Sequence, residues 1–241
     1  GAVFWMVREN PIETALSGDH ILNTLIIIEE EGQPIVSFVL MYYPQTRRAA
    51  LFDVPGDIGQ IIPSLGRMDR IDRLYTSKNL QPFLAEVGRQ LGVDIPFCLS
   101  LSSDNFVRLV DLLEGIEVFM PDPIADFTID PVILIPPGSV NLDGSKAYDL
   151  LVYTNDAEDS SLLHSRRQRL MVSLIKRLCE KHAELRSPRI RPFFLSLVNT
   201  NVRKATLMEL LSVVSPLDTD RISPQRVGGN MRYVSDELLL F

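Results

Sequence analysis

Three runs of β-favouring residues stand close together near the start of the chain, at positions 22–28, 35–42 and 47–54. The first two are separated by Glu29-Glu30-Glu31-Gly32-Gln33-Pro34, and the last two by Pro44-Gln45-Thr46, both with the composition of turns. Connections this short allow hairpins but not a crossover between parallel strands. The second run is apolar almost throughout, which is typical of a strand buried on both faces. The sequence therefore predicts that 35–41 and 49–54 are antiparallel neighbours in a covered sheet.

Helical patterns follow these strands. Apolar residues recur at the spacing of one helix face between positions 80 and 91, with Ser77 as the expected N-cap and Gly92 as the expected stop. Further helices are predicted over 103–113, with Ser103 as cap, and over 161–182 and 206–214. Asp143-Gly144 is predicted to form a turn and helix cap before a helix that starts near Lys146. Strands are expected at 97–101, 116–120 and 132–135, and in the C-terminal tail. This alternation predicts an α/β fold, a single α/β/α sandwich around a mixed, largely buried sheet.

Composition limits the class of protein. With 241 residues and 46% hydrophobic residues, the chain is long enough to bury a sizeable core. A formal net charge of −7 argues against a nucleic-acid partner, because general nucleic-acid binders usually have a basic surface. No apolar run approaches the roughly 18 residues that a membrane helix needs. We predict one domain over residues 22–241, preceded by an N-terminal extension over 1–21, and Gly1-Ala2 leaves room for an upstream signal or anchor.

The two cysteines, Cys98 and Cys179, lie in apolar surroundings and far apart in the sequence. Two buried free thiols are the favoured interpretation, and a disulfide between them is the alternative.

The strongest motifs lie in four segments. They are Tyr43-Pro44-Gln45-Thr46-Arg47-Arg48-Ala49-Ala50-Leu51-Phe52-Asp53-Val54-Pro55-Gly56-Asp57, then Phe106-Val107-Arg108-Leu109-Val110-Asp111, and then Val140-Asn141-Leu142-Asp143-Gly144-Ser145-Lys146-Ala147 with Arg166-Arg167-Gln168-Arg169. Together they resemble the LytR-CpsA-Psr family of cell-envelope proteins, which has Asn-Pro-Lys-Thr-Lys-Lys, Pro-Arg-Asp, Leu-Asp-Gly-Glu-Lys-Ala and Arg-Gln-Gln at the corresponding places. The resemblance extends from about residue 22 to residue 241.

The resemblance implies an extracytoplasmic domain, anchored by an N-terminal membrane helix, that transfers a glycopolymer phosphate from a polyprenyl-pyrophosphate carrier to peptidoglycan or a related acceptor. Arginines would hold the pyrophosphate, because their planar fork pairs with phosphate oxygens. Magnesium held by carboxylates would offset the charge that develops on those oxygens. An apolar groove between sheet and helices would hold the prenyl chain.

Several function-bearing positions of the family differ in this chain. Ile35 stands where the family has a metal-binding Asp, and one of the glutamates at 29–31 matches the second metal carboxylate only loosely. Gly56 replaces the Arg of Pro-Arg-Asp, residues 153–155 lack the family's Arg-x-Arg, and His164 replaces another arginine. Each charge-assisted hydrogen bond is worth roughly 1.5–3 kcal/mol, so these losses predict much weaker pyrophosphate binding. We therefore expect no bound magnesium, no other cofactor and no assigned catalytic residue.

Five side chains are candidates for ligand binding: Asp57, Arg70, His164, Arg167 and Gln168. Asp57 matches Pro-Arg-Asp, Arg70 stands for the lysine of Lys-Ile-Asn, and Arg167 and Gln168 match Arg-Gln-Gln. His164 could contact a phosphate or act as a general acid or base. Plainer interpretations remain open: a strand-exit turn for Asp57, a surface position for His164, and a solvated basic helix face. That face would comprise Arg166, Arg167, Arg169, Lys176, Arg177 and Lys181.

Three functions follow from this pattern. The favoured one is a non-catalytic domain that binds a polyprenyl phosphate, another lipid or a cell-envelope protein partner. The second is a divergent phosphotransferase that attaches a lipid-linked glycopolymer to the cell wall. The third is a structural interaction domain whose groove is filled by side chains. An open apolar tunnel would favour the first, arginines converging on Asp57 the second, and a filled interior the third.

Overall fold

The computed structural model describes residues 12–13, 20–62, 66–129, 132–155, 159–228, 231–234 and 237–240. The strands are β1 (Leu22–Glu30), β2 (Gln33–Tyr43), β3 (Arg48–Asp53), β4 (Gly59–Ile62), β5 (Arg67–Arg70), β6 (Phe97–Ser102), β7 (Ile116–Met120), β8 (Ile124–Asp126), β9 (Ile133–Ile135), β10 (Gly138–Leu142), β11 (Asn199–Thr200), β12 (Ile222–Arg226), β13 (Met231–Val234) and β14 (Glu237–Leu240). The α-helices are α1 (Gln81–Leu91), α2 (Ser103–Leu112), α3 (Gly144–Val152), α4 (Ser160–Glu180), α5 (His182–Leu185), α6 (Arg191–Leu197) and α7 (Lys204–Val214).

Six strands form one mixed sheet in the order β11-β6-β1-β2-β3-β12. β1 and β2 are antiparallel and joined by Glu31 and Gly32, whose φ angles of 51° and 79° suit a tight hairpin turn. β2 and β3 are also antiparallel, with Phe38 opposite Asp53, which confirms the predicted pairing. β6 joins β1 in parallel, and β12 joins β3 in parallel.

Helices cover both faces of this sheet. α1 and the turn before it pack on one face, over a cluster that includes Leu25 and Val39. The other helices pack on the opposite face, where Phe38 and Leu40 of β2 meet Leu170 of α4. Successive residues of β2 therefore enter two different cores, as the alternation of side chains in a strand requires. The predicted α/β/α sandwich around a mixed, largely buried sheet is confirmed.

The ends of α1 show where the sequence signals succeeded and failed. Gly92 follows α1 with a φ of 66°, as the predicted stop requires. The start is different from the prediction: α1 begins at Gln81, not next to Ser77, and the Asn79 side chain accepts a hydrogen bond from the Gln81 amide at 3.2 Å. Pro82 in the first turn suits this later start because its missing N–H would have no partner there.

The caps of α2 and α3 are local and nearly as predicted. Ser102, one residue before the expected Ser103, caps α2 by accepting a hydrogen bond from the Asn105 amide. Asp143 caps α3 by accepting from the Lys146 amide at 2.9 Å. This geometry fits the turn-and-cap interpretation of Asp143-Gly144.

Cys98 and Cys179 are buried free thiols, so the favoured interpretation is confirmed. Burial raises the pKa of each thiol to about 12.

Most of the extension predicted over residues 1–21 lies outside the described residues, although Ile12 is buried in the larger core. The domain boundary at residue 22 stays a prediction. Among the described residues, no helix combines the length and apolar character needed to cross a bilayer.

Candidate functional site

The end of β3, the first turns of α4 and the end of β5 enclose a polar pocket of about 230 Å³. Its charged and titratable wall residues are Asp53, Asp57, Asp72, Arg70, Arg167, Arg226 and His164. Four of the five candidates from the sequence are thus brought together, although they come from segments more than a hundred residues apart. The fifth, Gln168, is not part of the pocket wall.

His164 and Asp53 form a close pair in this wall. His164 Nδ1 lies 2.5 Å from Asp53 Oδ2, and the two side chains are 17% and 7% exposed. A carboxylate can only accept, so Nδ1 carries the proton and the other ring nitrogen, Nε2, is the second polar atom. Within the described part of the chain, Nε2 has no hydrogen-bond partner. The interpretation of His164 as an ordinary surface residue is therefore wrong.

The helix that carries His164 starts close to the sheet. The Asp159 side chain caps α4 by accepting a hydrogen bond from the Ser161 amide at 3.2 Å. His164 follows one turn later, and Arg167 lies three residues beyond it on the same side. Arg167 donates from Nε to the Leu151 carbonyl oxygen at 2.9 Å, which ties this part of α4 to the end of α3.

Arg70 and Asp72 form a second pair in the wall. Arg70 Nε lies 3.1 Å from both carboxylate oxygens of Asp72, and Arg70 Nη2 lies 2.5 Å from Oδ2. Asp72 also approaches Gly56, where a Cβ atom would be only 2.7 Å from Asp72 Oδ2. Gly56 stands where the resemblance expects an arginine. The Asp72 carboxylate therefore fills the space in which that arginine side chain would begin.

Arg226 is a member of the pocket that sequence reasoning missed. It ends β12, and the parallel register of β12 with β3 places it beside Asp53. No motif surrounds Arg226 in the sequence. The sequence shows Arg226 only as a basic residue in a predicted C-terminal strand. Its place in the pocket depends on the pairing of β12 with β3, which are distant in the sequence. Asp53 lies within the strand predicted over 47–54, and its histidine partner was not expected.

Two conspicuous residues of α4 face away from the pocket into the protein. Gln168 donates from Nε2 to the Gln225 carbonyl oxygen at 2.6 Å, so its amide fastens α4 to β12. Arg166 is only 4% exposed, donates to the Tyr153 carbonyl oxygen at 2.6 Å and stacks over the Tyr153 ring. The predicted solvated basic face is therefore wrong for Arg166, which is part of the core.

The pocket residues do not fit magnesium. Ile35, at the family's metal position, lies in the wall and offers no oxygen. Asp53 and Asp72 are already paired with His164 and Arg70, respectively. In the ranges that the structure describes, no three His, Cys, Asp or Glu side chains are grouped to hold a metal ion. Of the glutamates at 29–31, Glu29 accepts from the Gly32 amide and Glu30 from the Tyr148 hydroxyl.

An apolar cavity of about 90 Å³ lies farther along the same side of the sheet. Its walls come from β1, β2 and β6 below, and from α2, α4, α6 and α7 above, with Leu40, Leu174 and Leu211 among the lining residues. Cys179 also lines it, and its thiol stays protonated because burial raises its pKa to about 12. This cavity lies in the layer where the resemblance expects a prenyl chain.

Three buried side chains separate the polar pocket from the apolar cavity. Along β2 the pocket includes Val36 and the cavity includes Leu40, and fully buried Phe38 lies between them on the same face. Along α4 the corresponding residues are Leu170 and Met171, both fully buried. Seven residues of helix from the last pocket residue to the first cavity residue correspond to about 10 Å. The two spaces therefore belong to one layer whose middle is closed by side chains.

Comparisons with known proteins agree with the observed fold. The LytR_cpsA_psr family profile matches residues 35–241. B. subtilis TagV is 18% identical, with 92% of this chain and 91% of that chain covered and a TM-score of 0.75. A transcriptional regulator from Enterococcus faecalis is 16% identical, with 92% and 81% covered and a TM-score of 0.75. TagT, solved bound to LI-WTA, is 12% identical, with 92% and 85% covered and a TM-score of 0.73.

No curated protein gives a significant sequence match. The structural similarities, all at low identity, show the fold, and the family profile covers most of the chain. The chain belongs to the LytR-CpsA-Psr family of extracytoplasmic cell-envelope proteins.

Proposed function

We propose that this domain binds a lipid-linked phosphate, such as a polyprenyl phosphate, and does not carry out the metal-assisted transfer implied by the family resemblance. The observation that supports this proposal is the arrangement of the two spaces. A polar pocket with three arginines and an apolar cavity lie in one layer between the sheet and α4. A ligand with an anionic head and an apolar chain matches that order of surfaces.

The phosphate is assigned to the polar pocket. Arg226 and Arg167 present guanidinium groups there, and Arg70 is held in place by Asp72. Guanidinium groups make charge-assisted hydrogen bonds to phosphate oxygens that are stronger than bonds between neutral groups. His164 Nε2 is a further polar atom in the same wall. Arg167, Arg70 and His164 stand at family motif positions, and Arg226 adds a guanidinium group from outside the motifs.

The apolar chain is assigned to the layer that contains the cavity. Burial of apolar surface stabilises the complex by roughly 25 cal/mol per Å² removed from water, so even a short chain adds substantial affinity. Entry from the pocket requires Phe38, Leu170 or Met171 to move, because these side chains close the middle of the layer. The chain therefore sets most of the affinity, while the phosphate fixes the orientation.

The test compares a polyprenyl monophosphate with the corresponding neutral polyprenol by calorimetry in detergent. The phosphate is expected to increase the affinity at least tenfold, as one charge-assisted hydrogen bond would. Arg226→Ala should remove most of that gain and leave polyprenol binding unchanged. Arg89→Ala is the matched control, because Arg89 pairs with Glu86 on the surface of α1, outside the pocket. Equal affinities for the two ligands in the unaltered protein would contradict the assignment of the head group, and absence of binding would favour the interaction domain.

A second candidate function is phosphoryl transfer to a hydroxyl group, favoured by the His164–Asp53 pair. Asp53 holds the imidazole so that Nε2 can take the proton of an attacking sugar hydroxyl. The hydroxyl oxygen would bond to the phosphorus that carries the glycopolymer, the bridging P–O bond would break, and lipid monophosphate would leave. Turnover of a polyprenyl-pyrophosphate-linked sugar, reduced about 100-fold or more in His164→Gln, would establish this function. Binding without turnover would leave the first proposal alone.

A further inference from the structure

The charge balance of the polar pocket is unusual for a site that receives pyrophosphate. Three arginines and His164 share its wall with three aspartates. Two of the aspartates are already matched inside the pocket, since Asp72 accepts from Arg70 and Asp53 lies 2.5 Å from His164 Nδ1. Among the described wall residues, the three arginine charges and the three aspartate charges cancel, so these residues leave no excess of positive charge for a pyrophosphate.

The positions of the aspartates also disfavour a second phosphate group in the pocket. Asp72 is 9% exposed in its side chain and reaches the space next to Gly56, and Asp57 follows in the same turn. Two carboxylates therefore lie where the Pro-Arg-Asp motif would supply one arginine and one carboxylate. A second phosphate group placed next to Gly56 would meet like charges at short distance, which disfavours binding.

We propose that the pocket selects a lipid phosphodiester, which has a single negative charge, over a lipid pyrophosphate, which has at least two. This inference rests on the proposed binding of a lipid-linked phosphate. One phosphate between Arg226 and Arg167 brings a single negative charge into the wall, whereas a pyrophosphate brings at least two next to Asp57 and Asp72. The remaining substituent of the diester extends toward the pocket mouth. A polyprenyl phosphosugar and a membrane glycerophospholipid share this chemistry.

The experiment measures dissociation constants for three ligands by calorimetry in the same detergent: a polyprenyl phosphomannose, the polyprenyl pyrophosphate of equal chain length, and phosphatidylglycerol. The diester of mannose is expected to bind at least tenfold more tightly than the pyrophosphate. Asp57→Asn removes one negative charge from the wall without altering either internal pair. In this variant, the preference for the phosphomannose over the pyrophosphate, taken as the ratio of their dissociation constants, should fall by about tenfold. Asp94→Asn is the control, because Asp94 is exposed and lies outside the pocket.

Each outcome has a distinct meaning. Tight binding of the phosphosugar alone supports a polyprenyl phosphodiester as the ligand. Equally tight binding of phosphatidylglycerol supports a membrane glycerophospholipid, which is also a phosphodiester with one negative charge. A pyrophosphate that binds more tightly than both diesters would overturn the selectivity and leave lipid-phosphate binding intact. An unchanged ratio in Asp57→Asn, with the melting temperature preserved, would also overturn it. Failure of all three ligands to bind would remove the proposed function itself.

Discussion

Gly56→Ala tests whether the Asp72 carboxylate has taken over the space of the missing arginine side chain. A Cβ atom at position 56 would lie 2.7 Å from Asp72 Oδ2, a distance that real Cβ contacts essentially never show, and 3.0 Å from Asp72 Cβ, which is unusually tight. Asp72 cannot simply rotate away, because Arg70 binds both of its carboxylate oxygens. The substitution must therefore shift the turn after β3 or break the Arg70–Asp72 pair.

The expected loss of stability in Gly56→Ala can be estimated from these two structural responses. Overpacking a well-packed site typically costs about 1–3 kcal/mol. Breaking the Arg70–Asp72 pair costs a similar amount or less, because Arg70 is 39% exposed and water weakens its interaction. We therefore expect Gly56→Ala to lower the free energy of unfolding by about 1–3 kcal/mol. For a chain of this length, 1 kcal/mol corresponds to roughly 2–4 °C in melting temperature.

Thermal and urea unfolding of four proteins would measure this effect: the unaltered chain, Gly56→Ala, Asp72→Ala and the double variant. The double variant should recover part of the lost stability, with a coupling energy of about 1 kcal/mol, because alanine at position 72 has no carboxylate to overlap the new Cβ atom. Gly228→Ala is the matched control, since no atom of the described residues lies within 4 Å of its Cβ position. Equal melting temperatures for Gly56→Ala and Gly228→Ala would refute the reasoning.

Three further predictions concern the metal, the thiols and the closed middle of the layer. Magnesium titration followed by calorimetry should show no saturable site, because magnesium demands near-octahedral oxygen ligands; a micromolar site lost in Asp57→Ala would contradict this. Cys98 and Cys179 should resist thiol reagents in the native protein and react in urea, because burial raises the pKa of each to about 12; fast labelling of either would contradict their burial. Met171→Ala should cost about 2–5 kcal/mol of stability yet favour longer polyprenyl chains over shorter ones; an unchanged chain-length preference would show that Met171 does not close the path.

The central strands could be predicted from the sequence because the signals that specify them are local. The short connection between β2 and β3 leaves a hairpin as the only pairing, and the apolar run in β2 indicates burial on both faces. Gly92 and Asp143 likewise act within one helical turn. The start of α1 was misplaced because Ser77 and Asn79 both favour turns and caps, and only the folded geometry decides which one is used.

The pocket could be predicted only where a motif marked it. Asp57, Arg70 and Arg167 were found because each lies at a recognisable family position. The partner of His164 is Asp53, 111 residues away, and no spacing rule connects them. Arg226 was missed for the same reason, since its place depends on the parallel pairing of β12 with β3.

The burial of Arg166 also depends on distant contacts. A basic run on a helix normally indicates a solvent-exposed face. The carbonyl oxygen and the ring of Tyr153, however, give the Arg166 guanidinium group partners inside the protein. Periodicity alone does not distinguish such a residue from its exposed neighbours. The helix Ser160–Glu180 therefore has one basic side chain in the pocket wall, Arg167, and another in the core.

Photo-crosslinking with a polyprenyl phosphate that has a diazirine at the far end of its chain tests the central claim most directly. If the phosphate binds beside Arg226 and the chain enters the layer under α4, mass spectrometry should find the label on cavity residues such as Leu174 and Leu211. Unlabelled polyprenyl phosphate should compete, and Arg226→Ala should weaken the labelling. Labelling confined to exposed apolar residues such as Phe127, unaffected by competitor or by Arg226→Ala, would contradict the proposed binding.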